Sequence, residues 1–453
     1  MSPRSSRRRL VVAGLVAGLA MGAAVGATSL TGASSGDPPG VRPVVLHLAR
    51  VVADPGADME LTAGLYCPRP AGSACDVRRA VAHVLSAGSE GWTAVPGVDD
   101  GPGYRFVVPG ALVDEDGLSY WLELTTEGGD AVRIPEGGAA SPFLVLTTGG
   151  LSEARWPDGS VWTNLRKSDG AVVRLGFGEG HMQVGRIGGA GDAAPLGPSS
   201  FDVAPDGSIY VADWVNARVL VLSPRGAHRR TVPLPIRRPV DLAVGVGDGL
   251  AVTTLGLGAT AFELASDGMV VGRYPVGAGI AERIALTPGG PHVWVGPSQW
   301  APMRSMPGVP LPAAAQSRAL APAVPGRDGT VALSEDLTGG RVAFVWARPD
   351  GSRAGSVLQL PTGVEPGVDY FVRGVPDGGA VAARGIWAEG REAVALLRFA
   401  ADGSLTSASF IEAPSHDVDA AASAVRFRAP DEVLAIYTEA AGVRIDRFEV
   451  RSR

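Results

Sequence analysis

Turn dipeptides recur after Thr147 at intervals of roughly 40–55 residues, and this periodicity constrains the fold more than any other feature of the sequence. The recurring pairs are Asp158-Gly159, Asp206-Gly207, Asp248-Gly249, Gly289-Gly290, Asp328-Gly329, Asp377-Gly378 and Pro430-Asp431. A second turn follows most of them, at Asp169-Gly170, Arg225-Gly226, Asp267-Gly268, Asp350-Gly351 and Asp402-Gly403. Asp and Gly suit the tight turns of antiparallel hairpins, and short β-branched runs lie between them. The sequence therefore predicts a repeated four-stranded sheet.

The stretch Gly197–Gly226 shows the unit best. Its apolar runs predict three strands, around Phe201–Ala204, Ile209–Ala212 and Val219–Leu222. The stretch resembles an NHL repeat, one blade of a β-propeller, through Pro198, Pro205–Gly207, Ile209–Asp213, Asn216, Arg218 and Val219–Leu222. The match covers about one blade, and the other blades resemble the repeat weakly. It implies that Asp213 and Arg218 form a structural pair that braces the blade, with a catalytic acid at Asp213 as the alternative.

The last unit lacks an outer strand, and Ala171–Leu175 can supply it and close the ring. Closure by pairing the two ends removes exposed sheet edges. We therefore predict an NHL-like propeller of six blades over residues 171–453, preceded by a lead-in hairpin within residues 149–170, at Leu151–Gly170. Seven blades is the alternative.

Residues 44–148 form a second region of short strands. Tyr104–Pro135 resembles the closing half of an immunoglobulin or fibronectin-type β-sandwich, with alternating residues along Tyr120–Thr125. Asp76–Ala87 could instead be a short helix, because its apolar residues also fall on one helical face. The fold class is accordingly all-β: an immunoglobulin-like sandwich followed by a six-bladed β-propeller.

The N-terminus carries an export signal. Arg4 and Arg7–Arg9 precede the apolar run Leu10–Ala27, which makes residues 1–27 a Sec or twin-arginine signal peptide or an uncleaved membrane anchor. Residues 28–43 are rich in small residues, Pro and Gly, as in a linker. We expect an exported protein, whether extracellular, periplasmic or at the cell surface, that contacts membrane only through a retained N-terminal segment. In that compartment Cys67 and Cys75 are expected to form a disulfide.

Several function classes are disfavoured. A formal charge of −6 provides no basic surface for nucleic acid. The six histidines are dispersed, and Asn164 and Asn216 are the asparagines available for a calcium ring, so we predict no metal and no cofactor. Carboxylates that could line a propeller channel are expected to be solvated loop residues: Asp202, Asp241, Glu282 and Asp369.

What remains is a binding surface. Aromatic and Arg side chains on exposed loops favour recognition, and the candidates are Trp214, Arg238, Arg283, Trp300 and His181. The alternative for each Trp is that it covers a blade end. We predict a binding or scaffold protein that recognises an unknown protein, glycan or small-molecule ligand. The alternatives are a propeller lyase or hydrolase acting at the channel, possibly with a cation, and a cell-surface module in which both domains are spacers.

Overall fold

A computed structural model describes residues 44–450 apart from several segments. The longer gaps are 67–76, 157–160, 189–196, 255–259, 276–280, 304–323, 326–329 and 415–423, and further gaps of one to three residues occur between them. The predicted signal, the linker and both cysteines lie outside the described residues. Within the described part of the chain, no helix has the length and apolar character needed to cross a membrane.

The N-terminal region is a β-sandwich. Its strands are β1 (Val44–His47), β2 (Val52–Ala53), β3 (Met59–Tyr66), β4 (Val77–Ser86), β5 (Thr93–Pro96), β6 (Val98–Asp99), β7 (Gly103–Val108), β8 (Leu118–Thr126), β9 (Ala131–Ile134) and β10 (Phe143–Thr147). One sheet has the order β1-β3-β7-β6 and the other β2-β10-β8-β4-β5, with β9 also paired to β8. Short 3-10 turns lie at Gly110–Leu112, Gly138–Ala140 and Thr148–Gly150. The stretch that could have been a helix is therefore a strand, β4, whose backbone pairs antiparallel with β5 and β8.

Inward-facing side chains of both sheets form one core. Leu61 and Phe106 come from the first sheet, and Ala82 and Leu122 from the second. Such burial of apolar area, worth about 25 cal/mol per Å², holds the two sheets together.

A buried histidine lies at the edge of this core. His47 Nδ1 is 2.6 Å from the carbonyl oxygen of Thr62, and its Nε2 is 2.9 Å from the Tyr120 hydroxyl. Because a carbonyl can only accept, Nδ1 carries the proton and Nε2 accepts from Tyr120. The Tyr120 oxygen in turn accepts from the backbone N–H of Arg50 at 2.9 Å. Burial lowers the pKa of His47 to about 4, so the imidazole is neutral.

The rest of the chain forms a second set of sheets. The strands are β11 (Ser152–Arg155), β12 (Leu165–Arg166), β13 (Ala171–Phe177), β14 (Gln183–Val184), β15 (Ser200–Val203), β16 (Ile209–Asp213), β17 (Arg218–Leu222), β18 (His228–Pro233), β19 (Pro239–Val244), β20 (Leu250–Thr254), β21 (Thr260–Leu264), β22 (Val270–Pro275), β23 (Ala281–Thr287), β24 (Gly290–Val295), β25 (Gln299–Pro302), β26 (Val324–Pro325), β27 (Val331–Leu337), β28 (Arg341–Ala347), β29 (Arg353–Gln359), β30 (Val364–Gly374), β31 (Ala380–Ala388), β32 (Arg391–Phe399), β33 (Leu405–Glu412), β34 (Val425–Ala429), β35 (Glu432–Glu439) and β36 (Gly442–Glu449). A 3-10 turn, Val246–Asp248, joins β19 to β20.

The described strands form six antiparallel sheets arranged as a β-propeller. We name them blade A (β15–β18), blade B (β19–β22), blade C (β23–β25), blade D (β26–β29), blade E (β30–β33) and blade F (β34–β36 with β13). The first strand of each blade contacts the first strand of the next, and β34 of blade F contacts β15 of blade A, which completes a cycle. The all-β class and the propeller are thus confirmed, while the count of blades in the complete chain, six or seven, stays a prediction.

The ring closes where the sequence predicted. Strand β13 pairs antiparallel with β36, with Leu175 opposite Val443, and so supplies the outer strand of blade F. The neighbouring turn of blade A packs against this junction. A Cβ at Gly226, which has a φ of 81°, would lie 1.9 Å from the carbonyl oxygen of Val172, so the turn accepts only glycine without displacement.

The predicted lead-in hairpin is wrong. Strands β11 and β12 do not pair with each other; β11 pairs parallel with β29 of blade D, and β12 pairs parallel with β33 of blade E. Strand β14 pairs parallel with β13 in the same way. The outer strands of these blades have backbone N–H and C=O groups without partners, and β11, β12 and β14 satisfy them by pairing along those edges. A hairpin formed between β11 and β12 would have left these groups unpaired. The segment therefore runs along the outside of blades D, E and F before the chain enters blade A.

The sandwich docks on blade D through polar and apolar contacts. The Glu335 carboxylate accepts from Arg50 Nη1 at 3.0 Å and from the backbone N–H groups of Val51 and Val52, each at 2.9 Å. Arg341 donates to Asp54 with both terminal nitrogens, and this pairing lowers the pKa of the Asp54 carboxyl. Val51 and Val52 also pack against buried side chains of blade D: Leu333, Ala343 and Val345. The orientation of the two domains is consequently fixed by directional bonds as well as by burial.

Candidate site on the loop face of the propeller

One face of the ring carries the turns between the second and third strands of the blades. We call it the loop face and define it by the turns at residues 214–217, 338–340, 389–390 and 440–441. An open pocket of about 660 Å³ lies there beside blade A. Its lining combines the turn after β16 with two side chains that precede blade A: Glu179, Ile187, Trp214, Val215, Asn216, Ala217 and Arg218. This volume is in the range of small-ligand sites.

A buried carboxylate organises the pocket wall. Asp213 ends β16 with its side chain fully buried, and its Oδ1 accepts from the backbone N–H groups of Gly185 at 2.9 Å and Asn216 at 3.2 Å. Its Oδ2 accepts from Asn216 Nδ2 at 2.8 Å and from Arg218 Nε at 2.9 Å. The ion pair that the NHL resemblance implied is thus present. Four donors leave the carboxylate without spare capacity for chemistry.

Arg218 links the buried Asp213 carboxylate to the connection that leads into blade A. Its terminal nitrogens donate to the carbonyl oxygens of Glu179 at 2.6 Å, Gly180 at 3.0 Å and Gln183 at 2.9 Å. Asn216 Nδ2 also donates to the carbonyl of Gly178 at 2.9 Å. Five guanidinium N–H groups in a fixed plane suit several carbonyls at once, which a Lys could not satisfy. Two segments distant in sequence are thereby held together.

The turn itself has little freedom. Val215 packs on Gly185 so closely that a Cβ at Gly185 would lie 2.3 Å from Val215 Cβ. Ala217 has a φ of 51°, a left-handed conformation that costs a non-glycine residue about 1–2 kcal/mol. Its carbonyl accepts from the backbone N–H of Leu234 at 2.9 Å, which holds the conformation in place. The pocket wall therefore contains one of the strained non-glycine positions of the described chain, along with Asp248 and Glu389 elsewhere in the propeller.

The structure places the predicted binding residues in different settings. Trp214 is half-buried and lines the pocket. Arg283 lies within β23 and Trp300 within β25, and neither is in a loop as the sequence suggested. Arg238 lies outside the described residues. The side chain of Trp300 is also outside the described set, so the grouping of these four around one opening stays a prediction.

His181 is exposed on the connection between β13 and β14, two residues beyond Glu179 of the pocket lining. Its ring meets that of His228 edge-on, with centroids 5.4 Å apart. It thus flanks the pocket without lining it. Trp387, near the second-to-third strand turn of blade E, is 44% exposed and adds an aromatic side chain to the same face.

Two channel carboxylates expected in solvated loops are buried in strands instead. Asp202 of blade A accepts from the backbone N–H of Val244 in blade B at 2.8 Å. Asp241 of blade B accepts from the N–H of Ile284 in blade C at 3.0 Å, and the Ser200 hydroxyl donates to it at 2.5 Å. The expectation for Asp202 and Asp241 was wrong because each satisfies an N–H group of the following blade, which the local sequence does not show. Glu282 and Asp369 have side chains outside the described set.

Sequence reasoning missed a cluster of titratable side chains at the loop-face end of blades E and F. The Tyr370 hydroxyl lies 3.3 Å from Glu392 Oε1, and the Tyr437 hydroxyl donates to the carbonyl of Glu412 at 3.2 Å. Burial raises the pKa of Glu392 and of both tyrosines. Arg444 lies over the Tyr437 ring at 5.1 Å. These residues lie far apart in the sequence and come together only because blades E and F pack against each other, so no sequence motif predicts the cluster.

Across the ranges that the structure describes, no three His, Cys, Asp or Glu side chains are grouped so that they could hold a metal ion. Cys67 and Cys75 are outside those ranges, and their disulfide stays a prediction.

No family model matches the sequence, and no curated protein matches it. Among solved structures, Kuenenia stuttgartiensis hydrazine synthase is 13% identical with a TM-score of 0.35, and the match covers 55% of this chain and 76% of that one. The β-propeller domain of Myceliophteria thermophila Cps50 (Swd1) is 12% identical with a TM-score of 0.33, covering 56% and 97%. A catalytically inactive virginiamycin B lyase from Staphylococcus aureus, with quinupristin, is 9% identical with a TM-score of 0.31, covering 87% and 100%.

Likenesses of this size add nothing to the argument, and the fold assignment rests on the sheets described above. The class of protein defined by fold and site is a β-propeller with an N-terminal β-sandwich and a preformed pocket on the loop face of blade A.

Proposed function

We propose that this chain is an exported binding or scaffold protein that recognises its ligand or partner at the loop-face pocket of blade A. The observation that carries the proposal is the pocket of about 660 Å³ whose wall, Trp214–Arg218, is fixed by the Asp213 network. A rigid concave surface loses little conformational entropy when it binds, and therefore gains affinity. The ligand is a protein, a glycan or a small molecule, and capture of the bound molecule identifies which.

The chemistry of the lining favours recognition over catalysis. The Asp213 carboxylate and the Arg218 guanidinium are engaged with each other and with the backbone, so they shape the pocket. Ile187, 46% exposed, and Val215 supply apolar contact area. Trp214 adds aromatic area with few rotatable bonds, the kind of side chain that carries binding energy at interfaces. The pocket is therefore suited to binding a ligand through its shape and its apolar and aromatic contact area.

The domain assignments proposed from sequence have support in the strand orders. Lettering β1, β3, β4, β6, β7, β8 and β10 as A to G turns the two sheets into A-B-E-D and G-F-C, the order of an immunoglobulin domain. We accordingly propose an immunoglobulin-like sandwich. The cycle of first-strand contacts supports six blades, and the Asp213–Arg218 pair supports the NHL-like assignment. Export is proposed from the N-terminal sequence.

The enzyme alternative has its best support at blades E and F. Glu392, whose pKa is raised by burial, lies beside Tyr370 and would be the candidate general acid. If a lyase or hydrolase acts at this position, the Glu392→Gln variant should still bind the substrate but should no longer convert it.

The test of the binding proposal uses exposed pocket residues that take no part in the Asp213 network. Purified wild-type protein, Ile187→Glu and the matched control Val98→Glu, which changes an exposed valine on the sandwich, are immobilised and used to capture partners from envelope and culture-medium fractions. We expect Ile187→Glu to lose the captured molecule and Val98→Glu to retain it, with melting temperatures unchanged. Capture that survives Ile187→Glu would place recognition elsewhere.

A further inference from the structure

The exposed indole of Trp387 lies between two carboxylates on one face of blade E. Trp387, on β31, is directly opposite Glu365 of β30 and Glu392 of β32. Directly opposed residues of antiparallel strands point to the same face, with Cβ atoms about 4.5–5.5 Å apart. The pairing is regular here, since the bulges of β30 lie beyond Pro366. The face therefore presents an aromatic ring with a carboxylate on either side.

These side chains lie at the open end of the groove between blades E and F. Ala383 and Val394, on β31 and β32, are buried in the core cluster that blade E shares with blade F. Side chains alternate along a strand, so Trp387 lies on the same face as Ala383, and Glu392 on the same face as Val394. Strand β31 ends at Ala388, so the Trp387 ring lies where the groove meets the loop face, and it is 44% exposed. A ligand can reach it from solvent.

The two carboxylates carry charge that no described cation neutralises, because neither Glu365 nor Glu392 forms an ion pair with a residue that the structure describes. The Tyr370 hydroxyl donates to Glu392 Oε1 at 3.3 Å, and burial raises the pKa of the Glu392 carboxyl. A neighbouring cation would act in the opposite direction, since it favours the charged form. A bound cation would therefore stabilise this half-buried carboxylate.

Two arginines of this region are engaged elsewhere. The side chain of Arg391 points to the opposite face of β32, where its guanidinium lies 4.0 Å from the centre of the Trp162 ring. Arg444, on blade F, lies 2.6 Å from Glu439 Oε1 through Nη1 and 2.9 Å from Asp446 Oδ1 through Nε. Neither arginine compensates the two carboxylates of the groove.

We propose that the open end of this groove binds an alkylammonium group, held over the Trp387 ring between Glu365 and Glu392. A cation over the face of an indole is attracted by the electrons of the ring, and the two carboxylates supply the opposite charge. The group is carried either by a small molecule or by a lysine side chain of a partner. The site is on blade E, so this proposal and that of the blade A pocket can fail independently.

Ligand-observed NMR with the full chain tests the requirement for a positive charge. The probes are choline, its neutral isostere in which a tert-butyl group replaces the trimethylammonium group, and Nα-acetyl-lysine amide. We expect the ammonium probes to bind at least about tenfold more tightly than the isostere. The tighter of the two then identifies the source of the group: a small molecule for choline, and a partner's side chain for the lysine amide.

Substitutions test the named residues. Trp387→Ala and Glu392→Gln should each weaken binding of the ammonium probes about tenfold. Glu392→Gln keeps the shape of the side chain, so it tests the charge even where Trp387→Ala destabilises the blade. The matched control Glu153→Gln, which changes an exposed glutamate on β11, should bind like the wild type. Loss of binding in Glu392→Gln also separates this role from that of a general acid, whose replacement leaves binding intact.

Three results would overturn the proposal. The first is an isostere that binds as tightly as the ammonium probes. The second is ammonium binding that survives both substitutions in the groove. The third is a wild-type chain that binds neither ammonium probe.

Discussion

Replacing Asp213 tests how much the pocket wall depends on one buried carboxylate. Its side chain is fully buried and accepts four hydrogen bonds, including the ion pair to Arg218. Removing one member of a buried pair costs about 3–5 kcal/mol, because the remaining charge and donors lose their partner. We expect Asp213→Ala to lower the free energy of unfolding of the propeller by that amount. Asp213→Asn keeps the shape of the side chain but places an NH₂ group beside hydrogen-bond donors that need an acceptor. We expect it to lower the free energy of unfolding by about 2 kcal/mol.

The matched control is Asp206→Ala, in a turn on the opposite face. The Asp206 side chain is 52% exposed, pairs with Arg229, and accepts from the backbone N–H and the hydroxyl of Ser208, so its loss should cost about 1–2 kcal/mol. Urea denaturation followed by tryptophan fluorescence gives both values, with an unchanged m-value as the condition for comparing midpoints. If Asp213→Ala falls within about 1 kcal/mol of Asp206→Ala, the network does not hold the pocket wall as argued.

Three further predictions concern the rest of the molecule. Burial lowers the pKa of His47 from 6.5 to about 4, so the stability that neutral His47 contributes to the folded state is complete above pH 6.5 and is lost as the pH falls towards 4. Between pH 6.5 and pH 4 the free energy of unfolding of the wild type should therefore fall by roughly 3 kcal/mol more than that of His47→Gln, as measured by urea denaturation at each pH. Deleting Arg444–Arg453 removes most of the strand that joins β35 to β13, and should lower the melting temperature of the whole propeller; a truncated chain that melts like the wild type would show that the ring closes differently. Glu335→Ala removes three hydrogen bonds that orient the sandwich, and should increase the radius of gyration in small-angle scattering, whereas the exposed control Glu365→Ala should not; an unchanged radius for both would mean that apolar packing alone fixes the domains.

Local signals predicted the blades well, because turns and strands of this fold are specified by neighbouring residues. The expected strands in Gly197–Gly226 correspond to β15, β16 and β17 within a residue or two at their ends. The closing role of Ala171–Leu175 could also be predicted, since a ring with a missing strand must take one from the other end.

Contacts between distant segments could not be predicted. Strands β11 and β12 are short, four and two residues long, so they carry no periodicity that would show which edge they join. Burial of Asp202 depends on an N–H group about one blade away, at Val244. The Asp213–Arg218 pair was implied by the repeat and Trp214 was singled out as an aromatic side chain on a loop, but the carbonyls to which Arg218 donates could not be predicted.

The measurement that most directly tests recognition at the loop face is a hydrogen–deuterium exchange footprint of the captured partner on the full chain. We expect slowed amide exchange in residues 178–187 and 214–218, which line the pocket and its supporting connection, with exchange unchanged in the opposite-face turns at residues 205–207 and 402–403. Protection confined to those opposite-face turns or to the sandwich, with 214–218 exchanging as in the free protein, would contradict it.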